Sequence, residues 1–217
     1  MNEPNAGEVV AVNVGRVHVL TDGRRSFSSA IGKRAIEGAV SLRGIGLAGD
    51  DIADRNNHGG PDRAIYAYAT EDYAWWSSEL GRDLRYGLFG ENLATRGIDV
   101  SGALVGERWR VGETELRVTS PRIPCFKLAH AVGDSDFVKR FAAADRPGAY
   151  LAVEREGAIA AGDRIEILER PARGLSLARF VHIYFTERDR AAEFLDAPHM
   201  TDDWRAWAER ELETREP

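Results

Sequence analysis

The chain has little sulfur to work with: one cysteine and two methionines in 217 residues. A single cysteine cannot close an internal disulfide, and it cannot build a four-thiolate zinc or iron–sulfur site. The five histidines, His18, His58, His130, His182 and His199, are scattered and never fall at ligand spacing, so a zinc centre is not expected. No apolar run is long enough to span a bilayer. Met1 to Glu8 is polar and acidic, without the basic start and apolar core of an export signal, so a cytoplasmic protein is expected. There is no basic excess either. With a net charge of −6 the chain lacks the face that non-specific binding to nucleic acid needs, although a few cations can still make a local anion pocket. Neither a dinucleotide fingerprint nor a Walker-type loop occurs, and there is no internal repeat.

Glycine, by contrast, is plentiful, with 22 residues. It punctuates a series of short strand-like runs: Glu8–Val14, Arg16–Leu20, Ala39–Arg43, Ala64–Tyr68, Glu107–Val111, Thr114–Ser120, Gly148–Val153 and Arg164–Leu168. Gly112-Glu113 reads as a hairpin turn between two of them. Thr21–Ser29 and Asp54–Arg63 read as polar loops. Helices are few: Glu71–Leu80, with Thr70 as N-cap and Gly81 as stop, and Asp134–Ala144. Strands so short, with so few helices between them, favour a mixed or antiparallel barrel over a doubly wound sheet. After Pro171 the style changes. Glycine vanishes beyond Ser176, and apolar residues recur at helical spacing. The last segment begins Thr201-Asp202-Asp203, a cap followed by acids. Residues 1–170 are therefore expected to form a barrel domain and 171–217 a three-helix domain, with Trp204 and Trp207 facing whatever it packs on.

Four stretches carry candidate chemistry. Pro121-Arg122-Ile123-Pro124-Cys125 places the lone thiol on a stiff segment, because each proline fixes its own φ and extends the residue before it. Free cysteine is most often a small buried hydrophobe, and packing is the commoner fate. A guanidinium three residues away, at Arg122, would instead favour thiolate and could pair with phosphate. His58-Gly59-Gly60, close to Arg63, is either a self-bonded loop or one whose backbone N–H groups face a ligand. Glu91-Asn92 is a turn pair, or else Asn92 offers a donor and acceptors to a polar ligand. Lys33-Arg34 is a solvated pair or a source of positive charge. A hydrolase dyad of Cys125 with His58 or His130 has no supporting local signature.

In order along the chain, these stretches resemble the MOSC domain family in its YiiM-like subgroup. The resemblance rests on Ile31-Gly32-Lys33, Gly46–Asp50 with Asp54, and His58–Ala64 running to Tyr68. It continues through Phe89–Leu93, Pro121–Cys125, Gly148-Ala149-Tyr150 and Gly162-Asp163, and the tail with Trp204-Arg205 is similar to the family's appended helices. One departure is Gly106-Glu107, where many members have Gly-Asp; the change is conservative and is expected on a strand edge.

The resemblance implies a mainly β MOSC-type barrel followed by a small three-helix domain, holding molybdenum cofactor (molybdopterin-bound molybdenum). Cys125 would be the thiolate ligand to the metal and the catalytic residue. Lys33, Arg63 and Arg122 would be the cations for the cofactor's phosphate, and His58, Gly59, Gly60 and Asn92 would line the pterin or substrate side. Pyridoxal phosphate is not expected. The implied activity is reduction of small N-hydroxylated compounds, such as hydroxylaminopurine bases to amines and amidoximes to amidines, with two electrons and two protons. Lacking its own redox module, the chain would take electrons from a separate flavin or iron–sulfur reductase. No nucleic acid and no membrane partner are expected, and self-association is left open. The alternative the resemblance allows is a carrier of molybdenum cofactor or of persulfide sulfur on the same cysteine.

Overall fold

The computed structural model describes residues 6–23, 25–53 and 59–214. The chain opens with β1 (Ala6–Val14), a valine-rich strand, then a hairpin of β2 (His18–Asp22) and β3 (Arg25–Ser29). Short strands follow: β4 (Arg34–Ala35), β5 (Val40–Arg43) and β6 (Gly46–Leu47). A 3-10 turn at Pro61–Arg63 leads into β7 (Ile65–Ala69), α1 (Thr70–Leu80) and β8 (Leu93–Arg96). Next come β9 (Arg108–Val111), β10 (Thr114–Pro121), α2 (Phe126–Val132) and α3 (Phe137–Ala143). The strands finish with β11 (Ala149–Arg155), β12 (Gly157–Ile159) and β13 (Arg164–Glu169). Three helices end the chain: α4 (Leu177–Thr186), α5 (Ala192–Asp196) and α6 (Asp202–Glu213).

Seven strands close into a mixed barrel in the order β13-β9-β10-β11-β7-β8-β1. Its seam is the pairing of β1 with β13. All neighbours are antiparallel except β7 and β8, which run parallel and are joined through α1. Alternation explains the two faces of β7. Ile65, Ala67 and Ala69 join the apolar cluster shared by all seven strands, while Tyr66 and Tyr68 join a second, aromatic cluster with α1, α2 and α3. Fully buried Leu177, Phe180, Ile183 and Phe194 from the last helices belong to the first cluster, together with Val105 and Trp109. Trp204 packs edge-on to Phe180 at 4.8 Å, and Trp207 lies 4.8 Å from Phe194. Among the described residues no helix is long and apolar enough to cross a membrane.

Several local expectations differ from the structure. Thr21–Ser29 is mostly hairpin rather than loop, because β2 and β3 pair through their backbones over five residues each. The N-cap of α1 is Ala69, with no side-chain cap; the Thr70 hydroxyl bonds Glu71 instead. Gly81 does stop the helix, at φ 63. A helix, α2, starts immediately after Cys125, and α3 begins at Phe137 rather than Asp134. Thr201 is the N-cap residue of α6, yet its hydroxyl bonds Asp203 and no backbone N–H. Glu107 is buried rather than set on an open strand edge, and it accepts from the Trp109 indole at 2.7 Å.

Candidate functional site

A belt of backbone pairings positions the site. Ser120 on β10 stands opposite Tyr150 on β11, and Tyr150 opposite Tyr66 on β7. The Asn92 N–H donates to the Tyr66 carbonyl at 2.7 Å, and the Asn13 N–H to the Asn92 carbonyl at 2.7 Å. Five adjacent strands thus bring the ends of three sequence motifs to one level. Just past the β10 end of this belt the chain turns through Arg122 and Ile123 to Cys125, the N-cap residue of α2.

A pocket opens there. Its wall combines Cys125, Arg122, Lys33, Arg63 and Asn92 with Asp50, Asp51, Tyr66, Tyr150 and Gly90, and Ile31, Ile52 and Ala53 add apolar surface. Five of the eight expected site residues therefore converge. Gly59 and Gly60 line an adjoining recess with Arg63, Thr201 and Asp203. His58 lies outside the described residues. His130 stacks edge-on against Phe27 at 5.2 Å.

The two most buried cations have unlike surroundings. Arg122 is 7% exposed. Its Nη1 donates to the Phe89 carbonyl at 2.7 Å, its guanidinium stands 5.2 Å from the Tyr66 ring centre, and its Nε has no hydrogen-bond partner. Among the described residues no carboxylate makes an ion pair with it. Burial works against its charge, but nearby Tyr150, Tyr66, Cys125 and Glu91 together favour it, and the guanidinium stays protonated. Lys33 is buried against Asp50, to which its ammonium donates. Burial lowers the Lys33 pKa from the ordinary lysine range, opposed by Asp50. Arg34 beside it is exposed, so only one member of the expected surface pair is solvated.

Asp50, which closes the stretch Gly46–Asp50 but carries no role in the motif reading, is a hydrogen-bonding hub of the site. It accepts from Lys33, from the Asn92 side-chain amide at 2.8 Å and from the Gly15 N–H at 2.8 Å. The Asn92 amide is fully engaged: it also donates to the Asn13 carbonyl at 3.3 Å and accepts from the Tyr66 N–H at 3.1 Å. Asn92 thereby orients Asp50 rather than projecting free groups into the pocket. Glu91, next to it, points away into the aromatic cluster, where both carboxylate oxygens lie 2.8 Å from the Tyr73 hydroxyl. Burial pushes its pKa up to about 7, against the hydrogen bonds from Gly87 and Tyr73.

The donor set suits an anionic ligand that carries a soft metal. A thiol and a buried guanidinium, which has no carboxylate ion pair among the described residues, face one pocket, and Gly90 beside Arg122 holds φ +81°, a left-handed backbone that suits glycine. Among the described residues no three His, Cys, Asp or Glu side chains converge as a cage, so a metal held here would have few protein ligands.

Residues 54–166 match the MOSC domain model. YflK of Bacillus subtilis is 32% identical over 201 residues, covering 91% of each chain. The crystal structure of YiiM from Geobacillus stearothermophilus superposes with a TM-score of 0.79 at 29% identity, over 95% of this chain and 99% of that one. A protein of Gibberella moniliformis named Reductase is 33% identical over 172 residues, which are 77% of this chain but only 30% of that longer protein.

Proposed function

This chain belongs to the MOSC domain family, in its YiiM-like branch, and we propose that it is a molybdenum-cofactor-dependent reductase of N-hydroxylated compounds. The observation that carries the reading is the shared pocket of Cys125 and Arg122, in which a thiol faces the same space as a buried cation that has no carboxylate ion pair among the described residues. Bound there, the cofactor would supply the two-electron redox chemistry. Cys125 would hold the metal as thiolate, which metal binding keeps deprotonated. Arg122 would anchor the cofactor's phosphate, with Arg63 at the rim and the Gly59-Gly60 backbone beside it. Tyr66, Tyr150, Ile31 and Ile52 would exclude water from the reacting face. The substrate class is a small N-hydroxylated base or amidoxime.

The electrons would come from a separate flavin or iron–sulfur reductase, because the chain offers neither the cysteines nor the fingerprint for a redox centre of its own. The match to part of a longer protein named Reductase supports this division of labour.

The test is direct. Protein purified from a host that makes the cofactor is assayed for molybdenum and pterin. It is then assayed for reduction of benzamidoxime or hydroxylaminopurine with reduced methyl viologen. Stoichiometric molybdenum with turnover, both lost in Cys125→Ala, is the expected result. Wild-type protein without molybdenum would sink the reading. A persulfide on Cys125 with no reductase activity would favour the carrier reading instead.

A further inference from the structure

The chain has three lysines, Lys33, Lys127 and Lys139, against twenty-six arginines. One of those three is buried in the pocket wall, where charge alone could have been supplied by arginine. The difference between the two side chains is chemical. An ammonium can release a proton near neutral pH once it is desolvated, whereas a guanidinium cannot.

The charge balance separates the roles of Lys33 and Arg122. The Lys33 and Asp50 side chains are 11% and 6% exposed and neutralise one another. An anion placed against this lysine would also sit against Asp50, which makes the pair a poor phosphate anchor. Among the described residues no carboxylate pairs with Arg122, whose Nε is without a hydrogen-bond partner, and it is the better anchor.

The lysine is also held with unusual care. Arg85 donates Nη1 to its carbonyl at 2.6 Å and Nη2 to the Gly32 carbonyl at 3.1 Å. Asp50 is fixed in turn by Gly15 and Asn92. A buried ion pair contributes little net stability, so three layers of support point to a use beyond folding. Besides Asp50, Glu91 on the side of the aromatic cluster and Arg122 act on the Lys33 charge, Arg85 sits at its carbonyl, and Asp51, Arg63, Lys127 and Cys125 are the other titratable or charged groups in the pocket wall.

We propose that Lys33, positioned by Asp50, is the proton donor to the oxygen that leaves when the N–O bond of the substrate breaks; the proposal rests on the reductase reading above. The reaction balances as R–NH–OH plus two electrons and two protons giving R–NH2 and water, and for an amidoxime as C=N–OH plus the same electrons and protons giving C=NH and water. The electrons come from the reduced flavin or iron–sulfur donor. The N–O bond breaks, Lys33 protonates the departing oxygen, and solvent supplies the proton for nitrogen. The neutral amine of Lys33, beside the Asp50 carboxylate, then regains its proton from water at the pocket mouth.

The experiment compares wild-type, Lys33→Met, Lys33→Arg and Asp50→Asn holoproteins for molybdenum content and for kcat and KM with benzamidoxime and reduced methyl viologen. It adds a 13C NMR titration of lysine Cε in cofactor-free protein, where only three signals need assignment. Both Lys33 variants should keep molybdenum while kcat falls about 100-fold or more and KM moves less than about threefold. Arginine should not rescue. In Asp50→Asn the alkaline limb of the kcat profile should move to lower pH, because the amine loses the carboxylate that favours its charged form; a purely structural Asp50 would not move it. In wild type, Lys33 should titrate below the ordinary lysine range. Rescue by Lys33→Arg, or molybdenum loss in both variants, would make Lys33 a cofactor cation and overturn the proposal. So would a Lys33 that titrates in the ordinary lysine range. If wild type turns over and Lys33→Met matches it, the proton assignment alone falls. If wild type neither binds molybdenum nor turns over, both readings fall.

Discussion

Arg63 at the pocket rim reaches Asp203 in the first turn of α6, with Nη2 and Oδ2 2.8 Å apart across 140 residues of sequence. The pair links the last helix to the wall that also carries Cys125. Its carboxylate is 57% exposed and its guanidinium 22%, so solvent and salt screen much of the attraction. Asp203→Asn should cost less than about 1 kcal/mol and lower Tm by less than about 4 °C. The loss should shrink further in 0.5 M salt. Thermal melts at low and high salt check both statements; a larger, salt-independent loss would mean that the carboxylate is needed for packing and not for charge.

Glu91 gives the fold a pH dependence of defined sign. Its pKa is raised from 4.5 to about 7 by burial, so the folded state holds this proton more tightly than the unfolded chain does. The stability tied to the proton is fully present below about pH 4.5. It is lost as pH rises towards 7 and is gone above that, a change of roughly 3 kcal/mol from this one group. Glu91→Gln keeps the shape and removes the titration. Urea denaturation at pH 5 and pH 8 should therefore show wild type losing stability relative to Glu91→Gln by up to that amount. Parallel losses in the two proteins would show that Glu91 does not titrate in this range.

Much of this was readable in the sequence, and the exceptions share a cause. The alternating runs that became β1, β7, β9, β10 and β11 carry their own burial pattern, and the glycine that ends α1 works through its own φ. Cys125, Arg122, Lys33, Arg63 and Asn92, which the family resemblance singles out, line one pocket. What stayed hidden depends on distant partners. Asp50 bonds Lys33 across 17 residues and Asn92 across 42, and although its stretch belongs to the resemblance, nothing local shows those partners. Tyr66 and Tyr150 read as ordinary strand residues until the barrel register sets them side by side. Arg25–Ser29 has little apolar alternation and becomes a strand by pairing with β2. Two prolines just before α2 disguise a helix of seven residues.

Gly87 supports the pocket from behind. Its φ is +84°, a region that costs a residue with a Cβ about 1–2 kcal/mol, and a Cβ there would overlap the Lys33 carbonyl. Its N–H also donates to Glu91. Gly87→Ala should destabilise by more than 1–2 kcal/mol, since strain and overlap add. It should also displace the segment that carries Lys33. Urea unfolding measures the first effect, and the Lys33 Cε chemical shift reports the second. An unchanged shift would mean that the overlap is relieved elsewhere.

Phe89 joins the aromatic cluster to the site. Its ring is fully buried, stacked 4.7 Å from Tyr73 with planes 6° apart and edge-on to Tyr68 at 5.2 Å. Its carbonyl accepts from Arg122. Phe89→Ala removes a large side chain from a place with little freedom to collapse, because Tyr73, Trp76, Phe137 and Phe141 are themselves packed around it. The expected cost is about 3–5 kcal/mol by chemical denaturation. Phe89→Leu keeps most of the volume and should cost less than half as much. The ordering of the two variants is the sharper test. A cluster that repacked freely would make them similar. A rigid one keeps them apart, and it also holds the backbone carbonyl under Arg122 at the distance seen.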